Sequence, residues 1–147
     1  MLIAAIGNRL RSDDGVALRV ADAVRRELPP EVRLVHAADV LSLIDDWRGE
    51  ELVVLVDAVQ SGAPPGTVHE IDMTPRSAAQ IPASASTHNF ELPQVIELAR
   101  RLDRLPAKLI VVGIEGRRFD HGDGLSPAVA AAVPRAAAIL QRLATTD

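Results

Sequence analysis

The chain has 147 residues, a hydrophobic content of 48% and a formal net charge of −4 at pH 7, which together indicate one globular domain over residues 1–147. The absence of cysteine excludes disulfides, thiolate metal sites and a cysteine nucleophile. The acidic balance provides no large basic surface for nucleic acid, and no apolar stretch approaches the roughly 20 residues of a membrane span. We therefore expect a cytoplasmic protein with neither nucleic acid nor membrane as a partner.

Apolar runs alternate with helical patterns along the chain. In order, they predict strand Leu2–Ile6, helix Gly15–Leu28, strand Val32–His36, short helix Val40–Trp47, strand Leu52–Val56, edge strand Thr67–Asp72, helix Asn89–Leu102, strand Lys108–Ile114 and a last helix from Pro127 with Ser126 as its N-cap. This order predicts an α/β fold: a single-domain, three-layer α/β/α sandwich with a mainly parallel sheet and Thr67–Asp72 as its antiparallel edge strand. Pro134 predicts a kink or break near Val133.

Four ionisable residues lie at the ends of predicted strands or helices that would meet at one edge of the sheet. Asp14 lies in the loop after the first strand, Asp57 ends the third, Glu115 follows the last, and His88 precedes a helix. Ligands in open α/β sheets lie beyond the carboxyl ends of the strands, so we expect these groups to face one crevice. Two carboxylates and an imidazole suit a divalent metal such as zinc or nickel, with positions left for water or substrate.

Each of these residues also has a structural interpretation. Asp13 and Asp14 could only stabilise the N-terminus of the first helix. Glu115 could simply pair with Arg117 or Arg118.

Asp57 is harder to explain structurally, because a carboxylate that directly follows five apolar residues tends to be buried at a cost. A lone histidine such as His88 is more often a surface residue than a ligand. The remaining histidines receive no predicted role: His36, His69 and His121.

Common catalytic and nucleotide-binding motifs are missing from the chain. It contains no zinc-protease H-E-x-x-H, no G-x-S-x-G elbow and no glycine-rich nucleotide loop after the first strand. The loop after that strand instead carries two acids where a phosphate would otherwise lie.

Four segments in order resemble the hydrogenase maturation endopeptidases, which process the large subunit of NiFe hydrogenases. They are GNRLRSDDGVAL, LVVLVDAV, STHNF and VVGIEGRRFDHGDGLSPAV, and with the intervals between them they span nearly the whole chain.

The resemblance implies a peptidase that removes a C-terminal extension from a nickel-loaded large subunit precursor. Asp14 matches the second acid of the family's D-[DE]-G motif, Asp57 the aspartate of its V-D-A motif, and His88 the histidine after its long loop. These three positions would bind the nickel that the substrate supplies, with Asp14 and Asp57 as catalytic residues. The enzyme would then need no tightly bound cofactor of its own. Either a carboxylate or a metal-polarised water would deliver the nucleophile.

Two other classes of function are compatible with parts of the pattern. A receiver-like signalling module also has paired acids after its first strand and an aspartate after its third. However, Asp13 lies seven residues past Ile6, and Lys108 begins the last strand where a receiver places its lysine after it. A non-catalytic α/β scaffold would have no metal affinity.

Overall fold

A five-stranded sheet and three α-helices make up the computed structural model, which describes residues 1–74 and 92–146. The strands are β1 (Leu2–Ile6), β2 (Arg33–Ala37), β3 (Leu52–Val59), β4 (Val68–Asp72) and β5 (Lys108–Glu115). The α-helices are α1 (Val16–Val24), α2 (Leu92–Arg101) and α3 (Pro127–Thr145), and two 3-10 helices lie at Ser12–Gly15 and Leu41–Leu43.

The strands are ordered β2-β1-β3-β5-β4 across the sheet. All neighbours run parallel except β4, which pairs antiparallel with β5 at one edge. The inner strands β1 and β3 are buried on both faces, which explains why their sequences are continuous apolar runs. The predicted α/β class, the mainly parallel sheet and the antiparallel edge strand are confirmed.

Two hydrophobic clusters pack against the two faces of the sheet. One joins α1 and α3 to alternate strand residues such as Ile3, Val54 and Val112. The other joins α2 and the segment around Leu43 to the intervening residues, such as Ala4 and Leu55. This alternation follows from the two-residue period of a strand and produces the predicted three layers.

Several predicted boundaries differ from the structure. Helix α1 ends at Val24 rather than Leu28, and the predicted helix Val40–Trp47 contains only a 3-10 helix at Leu41–Leu43. The predicted start of α2 at Asn89 lies outside the described residues.

The predicted break in α3 is wrong, because the helix continues through Pro134 to Thr145. Pro134 is exposed, whereas Ala132 and Ala136 on either side of it are fully buried. Burial of both flanking turns stabilises the helix across the missing backbone donor.

The chain reverses direction across the sheet between β1 and β3. From β1 it crosses through α1 to β2 on one side, and it then returns to β3 on the other side of β1. The carboxyl ends of β1 and β3 therefore flank a topological switch point, where open α/β sheets form their ligand crevices. None of the helices in the described residues is both long and apolar enough to cross a membrane.

Candidate active site

Within residues 1–74 and 92–146, every buried charged side chain lies near the carboxyl edge of the inner strands. The four residues are Asp13, Asp14, Asp57 and Glu115, each at most 5% exposed. Burial of a carboxylate is costly unless hydrogen bonds or a cation compensate for it. This concentration of buried acids marks the edge as the candidate site.

Asp14 belongs to the 3-10 helix between β1 and α1. Its Oδ2 accepts a hydrogen bond from the backbone amide of Asn8 at 2.9 Å. Gly7 makes this tight loop possible: its φ is +145°, and a Cβ there would lie 2.0 Å from the carbonyl oxygen of Asp14. The glycine therefore lets the end of β1 pass directly beneath the Asp14 backbone.

Asp57 lies within β3 and not at its last residue, since the strand continues through Ala58 to Val59. In the parallel register its Cα partner is Gly113 of β5. Because Val53 and Leu55 pack in the cluster with α2, Asp57 projects from that same face of the sheet. The 3-10 helix that carries Asp14 contacts β3, so the structure brings both predicted carboxylates to the switch point.

Asp13 turns away from Asp14 and binds the loop after β5. Its Oδ2 accepts the amides of Arg117 and Arg118 at 2.8 Å each and the hydroxyl of Ser126 at 2.8 Å, and its Oδ1 accepts the amide of Ser126 at 2.7 Å. Burial by itself raises the pKa of Asp13, but these hydrogen bonds outweigh that effect and hold the pKa below its ordinary value of 3.8.

Asp13 therefore does not cap α1, because its carboxylate accepts hydrogen bonds from a loop distant in sequence. The N-cap of α1 is Gly15, without a side-chain cap. Ser126 occupies the N-cap of α3 as predicted, but its hydroxyl donates to Asp13 and makes no capping bond to the helix.

Glu115, at the end of β5, does not pair with Arg117 or Arg118 as the structural interpretation expected. Its Oε1 accepts the amides of Ser61 at 2.5 Å and Gly62 at 3.0 Å. Carboxylate hydrogen bonds of this kind fix the loop after β3 against the end of β5.

His69 of β4 adds a second contact to Glu115, with Nε2 at 3.2 Å from Oε2. In the sheet register His69 pairs with Gly113 of β5, which is also the partner of Asp57. His69 and Asp57 therefore lie on the same face of the sheet, on the two strands that flank β5. Sequence reasoning assigned His69 no role. The sequence did contain a signal for His69: in an edge strand it alternates with the apolar Val68, so the two side chains must point to opposite faces of the sheet.

His88, the third predicted metal ligand, lies outside the described residues. Among residues 1–74 and 92–146, no three acidic or histidine side chains form a group that could hold a metal ion.

The sequence model for hydrogenase maturation proteases matches residues 18–142. This match covers the sheet from β2 to β5 and most of α3, and it begins just after Asp14. The chain belongs to the hydrogenase maturation protease family. The resemblance seen in the sequence is thereby confirmed at the level of the family.

Curated relatives agree with this assignment. The hydrogenase expression/formation protein HupD of Thiocapsa roseopersicina is 30% identical over 135 residues, which are 88% of this chain and 60% of the relative. The hydrogenase 2 maturation protease of Escherichia coli is 26% identical, over 90% of this chain and 83% of that protein. The chain thus spans only about three fifths of the length of the first of these relatives.

Solved structures share the fold. The hydrogenase-maturating endopeptidase HybD of Escherichia coli superposes with a TM-score of 0.78 over 95% of this chain and 88% of its own, at 23% identity. A solution structure of an endopeptidase from Escherichia coli gives a TM-score of 0.79 at 25% identity, over 95% of this chain and 90% of its own. The three-layer architecture is therefore that of known maturation endopeptidases.

Proposed function

We propose that the protein is an endopeptidase that removes a C-terminal extension from the nickel-loaded large subunit precursor of a NiFe hydrogenase. The observation that carries the proposal is the pair of buried carboxylates, Asp14 in the loop after β1 and Asp57 in β3, near the carboxyl ends of two adjacent parallel strands in a hydrogenase maturation protease fold. Buried carboxylates at this edge of the sheet favour a bound cation that compensates for their charge.

In this proposal Asp14, Asp57 and His88 bind the nickel that arrives with the substrate. The donor set is two carboxylate oxygens and one imidazole nitrogen, which suits nickel, and three ligands leave coordination positions for water and the substrate. The metal is part of the substrate and not a resident cofactor. Recognition of nickel would restrict cleavage to precursors whose metal insertion is complete.

The reaction is the hydrolysis of one peptide bond. The oxygen of a water molecule adds to the scissile carbonyl carbon, the C–N bond breaks, and the leaving amine takes a proton. Asp14 or Asp57 acts as the base that accepts the proton of the water, or the nickel lowers the pKa of a bound water. In this proposal the protein is an aspartic-type or metal-assisted hydrolase. It acts on its folded partner in the cytoplasm.

The test is cleavage of purified large subunit precursor with and without inserted nickel, followed by mass spectrometry of the C-terminal fragment. We expect cleavage only of the nickel-loaded precursor and its loss in His88→Ala. Asp123→Asn is the matched control, because the Asp123 side chain is 81% exposed and paired only with Arg19 at 3.7 Å among the described residues. Efficient cleavage of casein or of the nickel-free precursor would contradict the proposal.

A further inference from the structure

Two loops at the candidate site are joined into one unit by main-chain hydrogen bonds. They are the Asp14 loop (residues 7–15) and the β5–α3 loop (residues 116–126). The amide of Ser12 donates to the carbonyl of Gly122 and the amide of Gly122 donates to the carbonyl of Leu10, both at 2.9 Å. The amide of Asp13 donates to the carbonyl of Arg118 at 2.9 Å. Neither loop can therefore move independently of the other.

The side chain of Asp13 is the buried centre of this unit. It is 0% exposed, and its carboxylate accepts four hydrogen bonds from described residues of the β5–α3 loop, at 2.7 to 2.8 Å. Hydrogen bonds to an ionised carboxylate are roughly twice as strong as neutral ones. Displacement of Asp13 would break several of them at once.

Ser12, the residue before Asp13, has an unfavourable backbone conformation. Ser12 has a φ of +52°, a conformation that non-glycine residues rarely adopt. Its hydroxyl donates to the carbonyl of Asp120 at 3.0 Å, and its amide is bonded to Gly122 as described. Such a conformation persists only where the surroundings fix it, and here the β5–α3 loop provides that restraint.

Asp14 follows directly and depends on the same restraint. Its amide donates to the carbonyl of Arg11 at 3.1 Å, and its Oδ2 accepts the amide of Asn8 at 2.9 Å. These two bonds hold the carboxylate within its own loop. The hydrogen bonds of Asp13 tie that loop to the β5–α3 loop, which follows directly from β5.

We propose that Asp13 is a positioning residue for Asp14: by anchoring the Asp14 loop to Arg117, Arg118 and Ser126, it holds the carboxylate of Asp14 at the productive place on the sheet edge. The two adjacent acids then have separate roles, one as an internal anchor and the other as the group that meets the substrate. For its effect on catalysis, this inference rests on the proposed function.

The test compares Asp13→Asn with the control Asp123→Asn, which makes the same chemical change in an exposed residue of the β5–α3 loop. With the nickel-loaded precursor, we expect kcat of the folded Asp13→Asn variant to fall by about 10- to 100-fold, because a displacement of about 1 Å in a catalytic group has an effect of this size. KM should also rise, because in the proposed function Asp14 binds the nickel of the substrate before cleavage. The control should retain kcat.

Amide hydrogen exchange supplies a readout that does not depend on activity. In Asp13→Asn, exchange should accelerate either at Arg117 and Arg118 or at Ser126, because Asn keeps only one acceptor oxygen and no charge. It should also accelerate at Asn8, whose amide reports the position of Asp14. A purely structural role would lower the melting temperature without changing exchange at Asn8 relative to the core strands. If the wild-type chain cleaves nothing, the proposed function fails, and exchange at Asn8 still decides the role of Asp13.

Ser126→Ala weakens the same set of hydrogen bonds by removing one donor to Asp13. It provides a second test if Asp13→Asn does not fold. It removes only the hydroxyl bond to Asp13 and keeps the amide bond. We expect a smaller decrease in kcat, about two- to fivefold, and a smaller change in exchange at Asn8 in the same direction. A folded variant at either position with wild-type kcat and unchanged exchange at Asn8 would overturn the proposal.

Discussion

The carboxylate of Glu115 accepts the backbone amide of Ser61 at 2.5 Å, across 54 residues of sequence. The same oxygen accepts the amide of Gly62, and the hydroxyl of Ser61 lies 3.0 Å from the other oxygen. Glu115, the last residue of β5, therefore holds the loop after β3 in place. This loop follows directly after the strand that carries Asp57.

The first prediction concerns this closure. Glu115→Ala leaves the donors around it without their acceptor and should lower the free energy of unfolding by about 2–3 kcal/mol. Glu115→Gln keeps one acceptor oxygen but loses the charge-assisted bonds, and it should cost about 1 kcal/mol. Urea unfolding followed by circular dichroism measures both values.

Glu97→Gln is the control for this series. Glu97 is partly exposed on α2 and pairs only with Arg100 and Arg101 of the same helix among the described residues. Such pairs contribute about 0.5 kcal/mol or less. Equal effects of Glu97→Gln and Glu115→Ala would show that the Glu115 hydrogen bonds contribute nothing specific.

A second prediction concerns stability in acid. Glu50 lies 2.9 Å from the Met1 ammonium and 2.8 Å from the Arg33 guanidinium. Burial by itself raises the pKa of Glu50, but hydrogen bonds and attraction from these two cations outweigh it and lower the pKa from its ordinary 4.5. The unfolded chain then binds more protons between the two pKa values, so the stabilisation is complete above pH 4.5 and is lost as the pH falls through the folded-state pKa.

Unfolding midpoints of wild type and Glu50→Gln between pH 7 and pH 3 provide the measurement. The difference in stability between the two proteins should be largest at pH 7 and should shrink below pH 4.5. A difference that is independent of pH would contradict the lowered pKa of Glu50.

The third prediction concerns the glycine beneath Asp14. Gly7→Ala places a Cβ 2.0 Å from the carbonyl oxygen of Asp14 and also requires a φ of +145° from a non-glycine residue. We expect a loss of at least about 2 kcal/mol of unfolding free energy. Gly49→Ala is a reference for a positive φ without a clash, because its φ is +79° and nothing lies within 4 Å of the added Cβ.

Gly49→Ala should therefore cost only about 1 kcal/mol, the price of the backbone conformation alone. Thermal and urea unfolding of the two variants, compared with wild type, measure the difference. If Gly7→Ala is no worse than Gly49→Ala, the loop adjusts freely and the close approach to Asp14 has no structural importance.

Local periodicity was sufficient to predict the architecture of the sheet. The apolar runs identified β1 and β3, and the rule that parallel strands share a carboxyl edge gave the prediction that Asp14 and Asp57 face one crevice. Both steps use patterns within a few residues of each other, which a sequence displays directly.

The hydrogen bonds that organise the edge could not be predicted in this way. Asp13 binds residues 104 to 113 positions away, and no repeating pattern records such a pairing. For Glu115, proximity in sequence suggested Arg117 and Arg118, whereas the folded chain presents the amides of the loop at Ser61. Buried carboxylates need donors, but only the packed loops decide which donors they receive.

A fourth prediction tests Asp57 as a functional group. Asp57→Asn preserves the size of a side chain that is 2% exposed, so the chain should remain folded with little change in melting temperature. Removal of the charge eliminates a metal ligand and a base, and cleavage of the nickel-loaded precursor should fall by about 100-fold or more. Unchanged cleavage in this variant would leave Asp57 as a structural residue of β3.

The last prediction concerns the metal content of the protein. If the nickel belongs to the substrate, the isolated chain should bind divalent metal weakly, because the proposed site has three ligands and none of them is a thiolate. Elemental analysis of protein purified without chelators should give well below one equivalent of zinc or nickel. Titration with nickel should show weak binding that Asp57→Asn abolishes and Asp123→Asn retains. Stoichiometric zinc that resists a chelator would instead identify a self-contained metalloprotease, whose cleavage would not depend on nickel in the precursor.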